Sequence, residues 1–216
     1  MNLIRTTVTI AMALSLLFPS VPMASDWKLE LDRQEIQIYT RKADGSDYKE
    51  FKGVTKLKTS LNSLVALLED TDACRQWAYK CKSEKTVKIV SDNERYNYVV
   101  SDGSPLSDRD AIIHITRTQD ATTNTVVIQR DGVPDFIPEK PGIARVKTIH
   151  GSWTLRPKGD GYVVITFQST SDPGGNVPAF LANLAVTDIP FKTLIRLRSE
   201  VMKPKYQKIT NLVNEL

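Results

Sequence analysis

The stretch DPGGNVPAFLANL, residues 172–184, marks the point at which the character of the chain changes. Before it, residues 161–170 alternate between apolar and polar side chains, which predicts a β-strand. Gly174 and Gly175 can adopt backbone angles that other residues avoid, so they predict a sharp reversal of the chain. Pro178 suits the first turn of a helix. Apolar side chains then recur at helical spacing at Phe180, Leu181 and Leu184. The stretch therefore predicts a strand, a reversal and a helix that folds back onto the sheet.

Upstream of this stretch, the sequence is dominated by predicted strands. Alternating segments flank short polar turns in three pairs, at residues 86–90 and 96–100, 111–117 and 125–130, and 143–155 and 161–170. Adjacent strands joined by tight turns predict an antiparallel meander. Earlier, Ser60 predicts the cap of one short helix, and a second is predicted near residues 73–79. No repeat or low-complexity linker divides residues 26–216, so we predict one α+β domain. In it, a long C-terminal helix lies across a curved antiparallel sheet.

The first 24 residues differ from the rest of the chain. Arg5 is their only charged residue, residues 8–18 form an apolar run, and residues 19–24 are small or turn-forming. This order is typical of a secretory signal, and the run is shorter than the roughly 20 residues that span a membrane. We therefore predict a signal peptide at residues 1–24 and a secreted mature chain. An uncleaved anchor at the membrane surface is the alternative that the sequence leaves open.

The two cysteines, Cys74 and Cys81, would encounter oxidising conditions after export, and such pairs tend to form disulfides. An unbroken helix would separate their α-carbons by about 10.5 Å, beyond the roughly 7 Å that a disulfide tolerates. A disulfide therefore requires a turn within residues 75–80. The alternative is a pair of small buried thiols, since the spacing matches no redox or zinc motif.

Charge excludes one class of partner. The formal net charge is only +4, and the 29 lysines and arginines are scattered among 25 acidic residues. This distribution argues against a dedicated nucleic-acid surface, whereas weak, transient contact with an anionic membrane remains open. We expect a monomer.

The sequence contains no glycine-rich phosphate loop, no nucleophile elbow and no zinc-spaced ligands. We therefore predict no catalytic residue, no metal site and no cofactor. His114 lies between Ile113 and Ile115 and should point away from the face that they occupy. His150 lies on a strand face of small polar groups, which suits either solvent or a cavity wall. The segment SDRD, residues 107–110, predicts a surface ion pair, because Arg109 favours ionised carboxylates on both sides.

Residues 131–142, DGVPDFIPEKPG, predict a long ordered loop rather than a hairpin. Loops of this length in compact domains are commonly functional. Apolar residues are unusual in such a loop, and three occur here, at Val133, Phe136 and Ile137. They either fasten the loop to the domain or close an opening beside the C-terminal helix.

Together these segments resemble the steroidogenic acute regulatory protein-related lipid transfer (START) family. The matching pieces, in family order, are PLSDRDAIIHITR at 105–117, DFIPEKPGIARV at 135–146, IHGSWTLRP at 149–157, and DPGGNVPAFLANLAV at 172–186 leading into DIPFKTLIRLR at 188–198. The resemblance covers residues 26–216. The segment CRQWAYKCK at 74–82 is similar to bacterial secreted members, which implies a bacterial periplasmic location.

The resemblance implies a helix-grip fold with a tunnel for one hydrophobic molecule between the sheet and the C-terminal helix. The residues expected to line the tunnel are Ile113, Ile115, His150, Ile165, Phe167, Phe180 and Leu184. Residues 135–146 match the family's omega loop, and together with the start of the helix they imply a gate formed by Phe136, Ile137, Pro138, Gly174 and Gly175. Some family members have an arginine on the strand of Ile113 and Ile115 as a buried anchor, whereas here that face is aliphatic.

The function implied is a secreted lipid-binding protein that shields a lipid or another hydrophobic small molecule, and the sequence leaves transfer between membranes open. The alternative is a helix-grip enzyme, such as a cyclase or hydrolase, acting on a bound apolar substrate. It would require a titratable group in the tunnel, for which His150 is the candidate. A third alternative is an interaction domain with a vestigial cavity.

Overall fold

The computed structural model describes residues 27–175 and 177–215. The predicted signal peptide, residues 1–24, lies outside the described residues. The strands are β1 Lys28–Arg33, β2 Ile36–Lys42, β3 Lys49–Lys58, β4 Cys81–Ser91, β5 Glu94–Ser101, β6 Arg109–Gln119, β7 Val126–Gly132, β8 Ala144–Arg145, β9 Thr148–Gly159 and β10 Tyr162–Asp172. The helices are α1 Leu61–Glu69, α2 Cys74–Trp77, α3 Ala179–Leu184, α4 Asp188–Glu200 and α5 Pro204–Gln207. A 3-10 turn, Thr71–Ala73, joins α1 to α2.

The strands form one sheet in the order β1-β2-β3-β10-β9-β7-β6-β5-β4, with antiparallel pairing throughout this path. Short β8 lies off the path and pairs in parallel with β6. The predicted hairpins are therefore confirmed, as is the curved antiparallel sheet. The pairing of β3 with β10 brings the N-terminal strands beside the last strand. Of the helices between β3 and β4, α1 contacts β9 and α2 contacts β4.

Helix α4 packs against the inner face of the sheet, beside β2 and β3. Its buried apolar residues, with the turn that follows, are Phe191, Leu194, Leu197 and Val201. At about 1.5–3 kcal/mol for each fully buried side chain, their burial contributes roughly 6–12 kcal/mol before entropic costs. Gly53 in β3 makes the close approach feasible, since a Cβ there would lie 2.8 Å from Leu194 Cδ1. This helix is therefore an integral part of the core.

The C-terminal helical region crosses the sheet as predicted, and α4 is its longest continuous part. A turn at residues 185–187 separates α4 from α3, and residues 201–203 form a turn before α5. Pro204 stands at the first position of α5, where its missing N–H breaks no helical hydrogen bond. None of the helices in residues 27–175 and 177–215 has the length and apolar character to cross a membrane.

Candidate ligand-binding site

A cavity of about 420 Å³ lies at one end of the sheet. It is bounded by α3, the adjoining ends of β3 and β10, and the loop between β5 and β6. Its apolar lining consists of Phe51, Pro105, Leu106, Pro173, Val177, Leu181, Ala182, Ala185, Val186 and Ile189. Ligand pockets are typically about 300–1,000 Å³ and mostly apolar with a few polar groups. The cavity therefore has the size and character of a site for one small hydrophobic molecule.

The glycine turn after β10 positions α3 beside this cavity. Gly174 and Gly175 have φ angles of +65° and +63°, the left-handed region that glycine adopts without strain. A Cβ on Gly174 would lie 2.1 Å from the carbonyl oxygen of Arg145. The turn is closed by Asp172, whose Oδ1 accepts a hydrogen bond of 2.8 Å from Gly174 N–H. The predicted reversal is confirmed, and its sharpness depends on the absence of a side chain at residue 174.

Helix α3 is attached to the domain by few contacts. None of its residues is buried. Asn183 Oδ1 accepts a 2.8 Å hydrogen bond from Lys49 N–H, and its Nδ2 donates to the carbonyl of Asp47 at 3.2 Å. Tyr48 donates its hydroxyl to the carbonyl of Val177 at 2.9 Å. These polar contacts fasten α3 across the cavity, without the burial that holds α4.

Phe180 and Leu184 do not line the cavity, and the prediction that they face inward is wrong. Their side chains are turned to solvent, with exposed fractions of 67% and 76%. The helical period of about 100° per residue brings Leu181 and Ala185, one turn apart, onto the cavity side. Phe180 and Leu184 form the adjacent stripe, which the sheet does not reach.

The predicted residues on β6 and β10 do face inward, but they lie deeper than the cavity. Ile113, Ile115 and Ile165 are buried in the continuous hydrophobic core. Phe167 stacks on Trp153 with ring centroids 4.1 Å apart, and its edge contacts Phe51 at 4.9 Å. The aromatic rings thus fill the interior behind Phe51, which itself borders the cavity. In this conformation the open space ends at Phe51.

His150 lies on the outer face of the sheet, so its predicted position in the tunnel is wrong. On β9 the inward residues are Trp153 and Leu155, which are buried, and His150 has the opposite parity. Its side chain is 74% exposed, and Nδ1 lies 2.6 Å from Asp131 Oδ1. The face of small polar groups recognised in the sequence is therefore a solvent face.

The omega loop is fastened to the outer face of the sheet by a buried ion pair. Arg145 and Asp110 pair through two contacts of 2.7 and 3.1 Å, with side-chain exposures of 1% and 0%. Arg145 also donates to three loop carbonyls, those of Pro134, Ile137 and Pro138. Burial alone would raise the pKa of Asp110, but hydrogen bonds from Arg145 and Tyr98 outweigh burial and lower that pKa. Burial and the hydrogen bond that the Tyr98 hydroxyl donates to Asp110 raise the pKa of Tyr98 to about 12.

The predicted gate residues of this loop lie away from the cavity. Phe136 stacks on Tyr96 with ring centroids 4.4 Å apart, and Tyr96 stacks on His114 at 4.6 Å. These two residues are on the face of β5 and β6 opposite the buried Ile113 and Ile115. Ile137 and Pro138 are held at the same outer surface by Arg145. The structure therefore separates Phe136, Ile137 and Pro138 from the glycine turn, whose neighbours Pro173 and Val177 line the cavity.

Cys74 and Cys81 form the predicted disulfide, with α-carbons 5.9 Å apart. The required turn follows α2, where Lys80 has a positive φ of 66°. This turn brings Lys80 to the cavity. Within the described chain, no cluster of three or more His, Cys, Asp or Glu side chains could hold a metal ion.

Several cavity residues were missed because loops, rather than strand patterns, supply them. Leu106 is an isolated apolar residue in the polar segment SDGSPLSD at 101–108. An apolar residue isolated in a polar loop was the sequence signal that could have indicated a role in the cavity. Phe51 lies on β3, and nothing in the sequence distinguishes it from an ordinary core residue. Val186 and Ile189 lie in and after the turn that divides α3 from α4, which periodicity alone does not reveal.

An antiparallel sheet that grips a C-terminal helix beside a partly open apolar cavity defines a helix-grip binding protein. The chain belongs to the START domain family, whose model matches residues 23–202. The expected family and fold are therefore confirmed.

Similar proteins occur in bacteria and in animals. An uncharacterised protein of Pseudomonas aeruginosa is 35% identical over 181 residues, covering 84% of this chain and 89% of that one. The crystal structure of a STAR-related lipid transfer protein fragment from Xanthomonas axonopodis is similar at a TM-score of 0.76. It is 36% identical and covers 82% of this chain and 99% of that one. Phosphatidylcholine transfer protein of Rattus norvegicus is 28% identical, covering 74% of this chain and 77% of that protein.

Proposed function

We propose that this protein binds one lipid or other hydrophobic small molecule in the cavity beneath α3 and carries it through water. The observation that carries the proposal is the apolar cavity of about 420 Å³ in a START domain. Each buried methylene contributes about 0.8 kcal/mol, so a chain of about a dozen carbons contributes roughly 10 kcal/mol before association costs. The similarity to a phosphatidylcholine transfer protein and to a STAR-related lipid transfer protein supports a lipid as the ligand.

The gate of this site is proposed to be α3. Opening α3 breaks the hydrogen bonds of Asn183 and Tyr48 but exposes no buried side chain of the helix. Opening at the omega loop would instead disrupt the buried pair of Arg145 and Asp110. Gly174 and Gly175 on one side and the turn at residues 185–187 on the other are the pivots. A short excursion of α3 therefore admits the ligand while α4 remains packed.

The exposed apolar residues around the opening support transient contact with a membrane. Phe180 and Leu184 lie on the outer side of α3, and Leu106, half exposed, lies at the cavity's edge. Exposed apolar clusters commonly mark interaction surfaces. A lipid could then pass from the bilayer to the cavity with little exposure to water.

Vesicle binding tests this contact. We expect a Phe180→Ser/Leu184→Ser variant to bind phosphatidylglycerol-containing phosphatidylcholine vesicles at least several-fold more weakly in cosedimentation than the wild type. Ile89→Ser is the control, because Ile89 is 73% exposed on β4, away from the cavity-lining residues. Equal sedimentation of the wild type and the double variant would refute membrane contact through α3.

We further propose that the mature chain is secreted, in a bacterial periplasm, and acts as a monomer. The order of residues 1–24 supports export, and the disulfide suits an oxidising compartment. Fractionation of the source cells, with mass determination of the mature protein, should recover a chain lacking the predicted signal peptide. Recovery of the full-length chain in the cytoplasm would contradict the proposal.

The enzyme alternative depended on His150, which the fold places on the solvent face. Binding therefore has the stronger support. The test is native mass spectrometry of the mature protein isolated from its own host, followed by lipid extraction. We expect a one-to-one adduct that organic solvent releases. A folded protein that carries no adduct and also takes up no fluorescent fatty acid would overturn the proposed function.

A further inference from the structure

We propose that the cavity recognises an anionic head group through Arg109, with Lys49 and Lys80 beside it, so that the ligand is a single-chain anionic amphiphile. This inference rests on the proposed binding function. All three cations line the same cavity. Among the described residues that line it, none is aspartate or glutamate. The cavity therefore combines an apolar lining with three cations, of which Lys49 also pairs with Glu30 at 4.0 Å.

Arg109 is the unusual member of this set because it is buried without an acidic partner. Only 9% of the residue is exposed. Within residues 27–175 and 177–215, Arg109 takes part in no ion pair, and its one hydrogen bond is donated by Nη1 to the carbonyl of Ser107. A buried charge normally requires a partner of opposite charge. The arrangement therefore calls for an anion.

The neighbouring carboxylates are committed to other cations. Asp108 accepts hydrogen bonds of 2.8 and 3.1 Å from Lys82 Nζ. Asp110, which has the opposite strand parity to its neighbour Arg109, is held by Arg145 and Tyr98. The surface ion pair predicted within residues 107–110 is therefore wrong, because both carboxylates pair with cations outside the segment and Arg109 pairs with neither. Because Asp108 and Asp110 pair with other cations, the guanidinium of Arg109 is available to an anion in the cavity.

Two glycines make room for the guanidinium beside the cavity. A Cβ on Gly103 would lie 2.6 Å from Arg109 Nη1, and a Cβ on Gly175 would lie 3.7 Å from Nη2. Lys80 Nζ is nearby in the same wall, 3.3 Å from the carbonyl of Ser104. The backbone thus approaches the guanidinium closely, so the turn that begins α3 also shapes the anion site. Arg109 is the first residue of β6, and the inner face of the strand continues from it with the aliphatic Ile113 and Ile115.

The size of the cavity limits the ligand. At about 30 Å³ for each water-sized group, a volume of about 420 Å³ holds roughly 14 non-hydrogen atoms. A fatty acid of medium length fits this space with its carboxylate at Arg109. Two full-length acyl chains do not, because Phe51, Phe167 and Trp153 fill the interior behind the cavity.

Binding of three probes tests the inference at pH 8 by isothermal titration: dodecanoate, dodecan-1-ol and acetate. We expect the wild type to bind dodecanoate at least about tenfold more tightly than dodecan-1-ol, as a charge-assisted hydrogen bond implies. Acetate should not displace dodecanoate at equal concentration, because the site also requires the chain. Arg109→Met should abolish the preference for dodecanoate over dodecan-1-ol. Arg156→Met on the exposed side of β9 is the matched control and should retain the preference.

Each of the other possible results contradicts one part of the proposal. Equal affinity of the wild type for dodecanoate and dodecan-1-ol overturns the anion site while the binding function stands. Failure to bind either probe overturns the binding function itself, and displacement by acetate reduces the site to a plain anion site. If Arg109→Met does not fold, Lys80→Met decides. If the preference of Lys80→Met for dodecanoate over dodecan-1-ol is at least about threefold smaller than that of the wild type, the anion site is supported. An unchanged preference overturns it.

Discussion

At the scale of single residues, the two adjacent charges Arg109 and Asp110 have different surroundings. Asp110 is buried on the outer side of β6, where Arg145 and Tyr98 satisfy it. Arg109, of opposite parity, reaches the cavity. Adjacent positions on a strand point to opposite faces, so one dipeptide contributes both to the omega loop and to the site.

The pairing of Asp110 predicts a pH dependence. Because its pKa is lower in the folded protein than its ordinary value, the pair's contribution is complete above the ordinary carboxyl pKa. It is lost as the pH falls through the folded pKa. The Asp110→Asn variant should therefore be less stable at pH 7 by about 3–5 kcal/mol, since Arg145 would be buried unpaired. Its free energy of unfolding should also depend less on pH between about 5 and 2 than that of the wild type.

Urea unfolding at a series of pH values measures both effects. Glu139→Gln is the control, because Glu139 pairs with Lys147 on the surface, where such pairs contribute about 0–1 kcal/mol. Parallel pH curves for Asp110→Asn and the wild type would show that Asp110 does not stabilise the loop in this way.

At the same scale, the packing of Gly174 predicts a loss of stability when the residue is substituted. Gly174→Ala should destabilise the protein by more than the roughly 1–3 kcal/mol of left-handed strain, because its Cβ would also meet the carbonyl of Arg145. Gly142→Ala isolates the strain, since residue 142 has a φ of +81° and open space around its Cβ. Chemical denaturation measures both free energies of unfolding. Equal losses for the two variants would contradict the close packing of the glycine turn.

At the scale of elements, α3 and α4 are adjacent in sequence but differ in how they are held. Helix α4 buries Phe191, Leu194 and Leu197, whereas α3 buries none of its residues. Elements with few buried contacts open at low free-energy cost. The mobile element beside the cavity is therefore expected to be α3.

The amide of Asn183 provides the test of this lid. Asn183→Ala removes two hydrogen bonds to residues 47 and 49. It should speed release of a bound fluorescent fatty acid several-fold in stopped-flow measurements, while the free energy of unfolding changes by only about 1 kcal/mol. Asn211→Ala, at an exposed position near the C-terminus, should change neither quantity. An unchanged release rate in Asn183→Ala would argue against opening at α3.

At the scale of the whole molecule, the patterns that repeat along the chain predicted one α+β domain, whereas the helix-grip fold was implied by the family resemblance. Strand alternation gave the hairpins, and the reversal at Gly174 and Gly175 gave the junction of sheet and helix. The direction in which a side chain points was harder to predict in a short helix and on a strand face of small polar groups. The short α3 rotates Phe180 outward, and a strand face of small polar groups around His150 suits solvent as well as a ligand.

Long-range polar contacts were also beyond sequence reasoning. Nothing local to residues 131–142 indicates that Arg145 binds three of its carbonyls and holds the loop against the outer face. The apolar Phe136 suited closure of the tunnel equally well, yet it stacks on Tyr96. Loop residues that meet only in three dimensions, such as Leu106 and Lys80, likewise required the structure.

The most direct test of the central claim is the ligand stoichiometry of an Ala182→Trp variant, because Ala182 lines the cavity and an indole there would occupy it. Native mass spectrometry after incubation with dodecanoate should give a one-to-one complex for the wild type. The same complex is expected for Ala121→Trp, at an exposed turn between β6 and β7. Ala182→Trp should remain folded and bind no dodecanoate. A folded Ala182→Trp protein with full stoichiometry and unchanged affinity would contradict the account and place the ligand elsewhere.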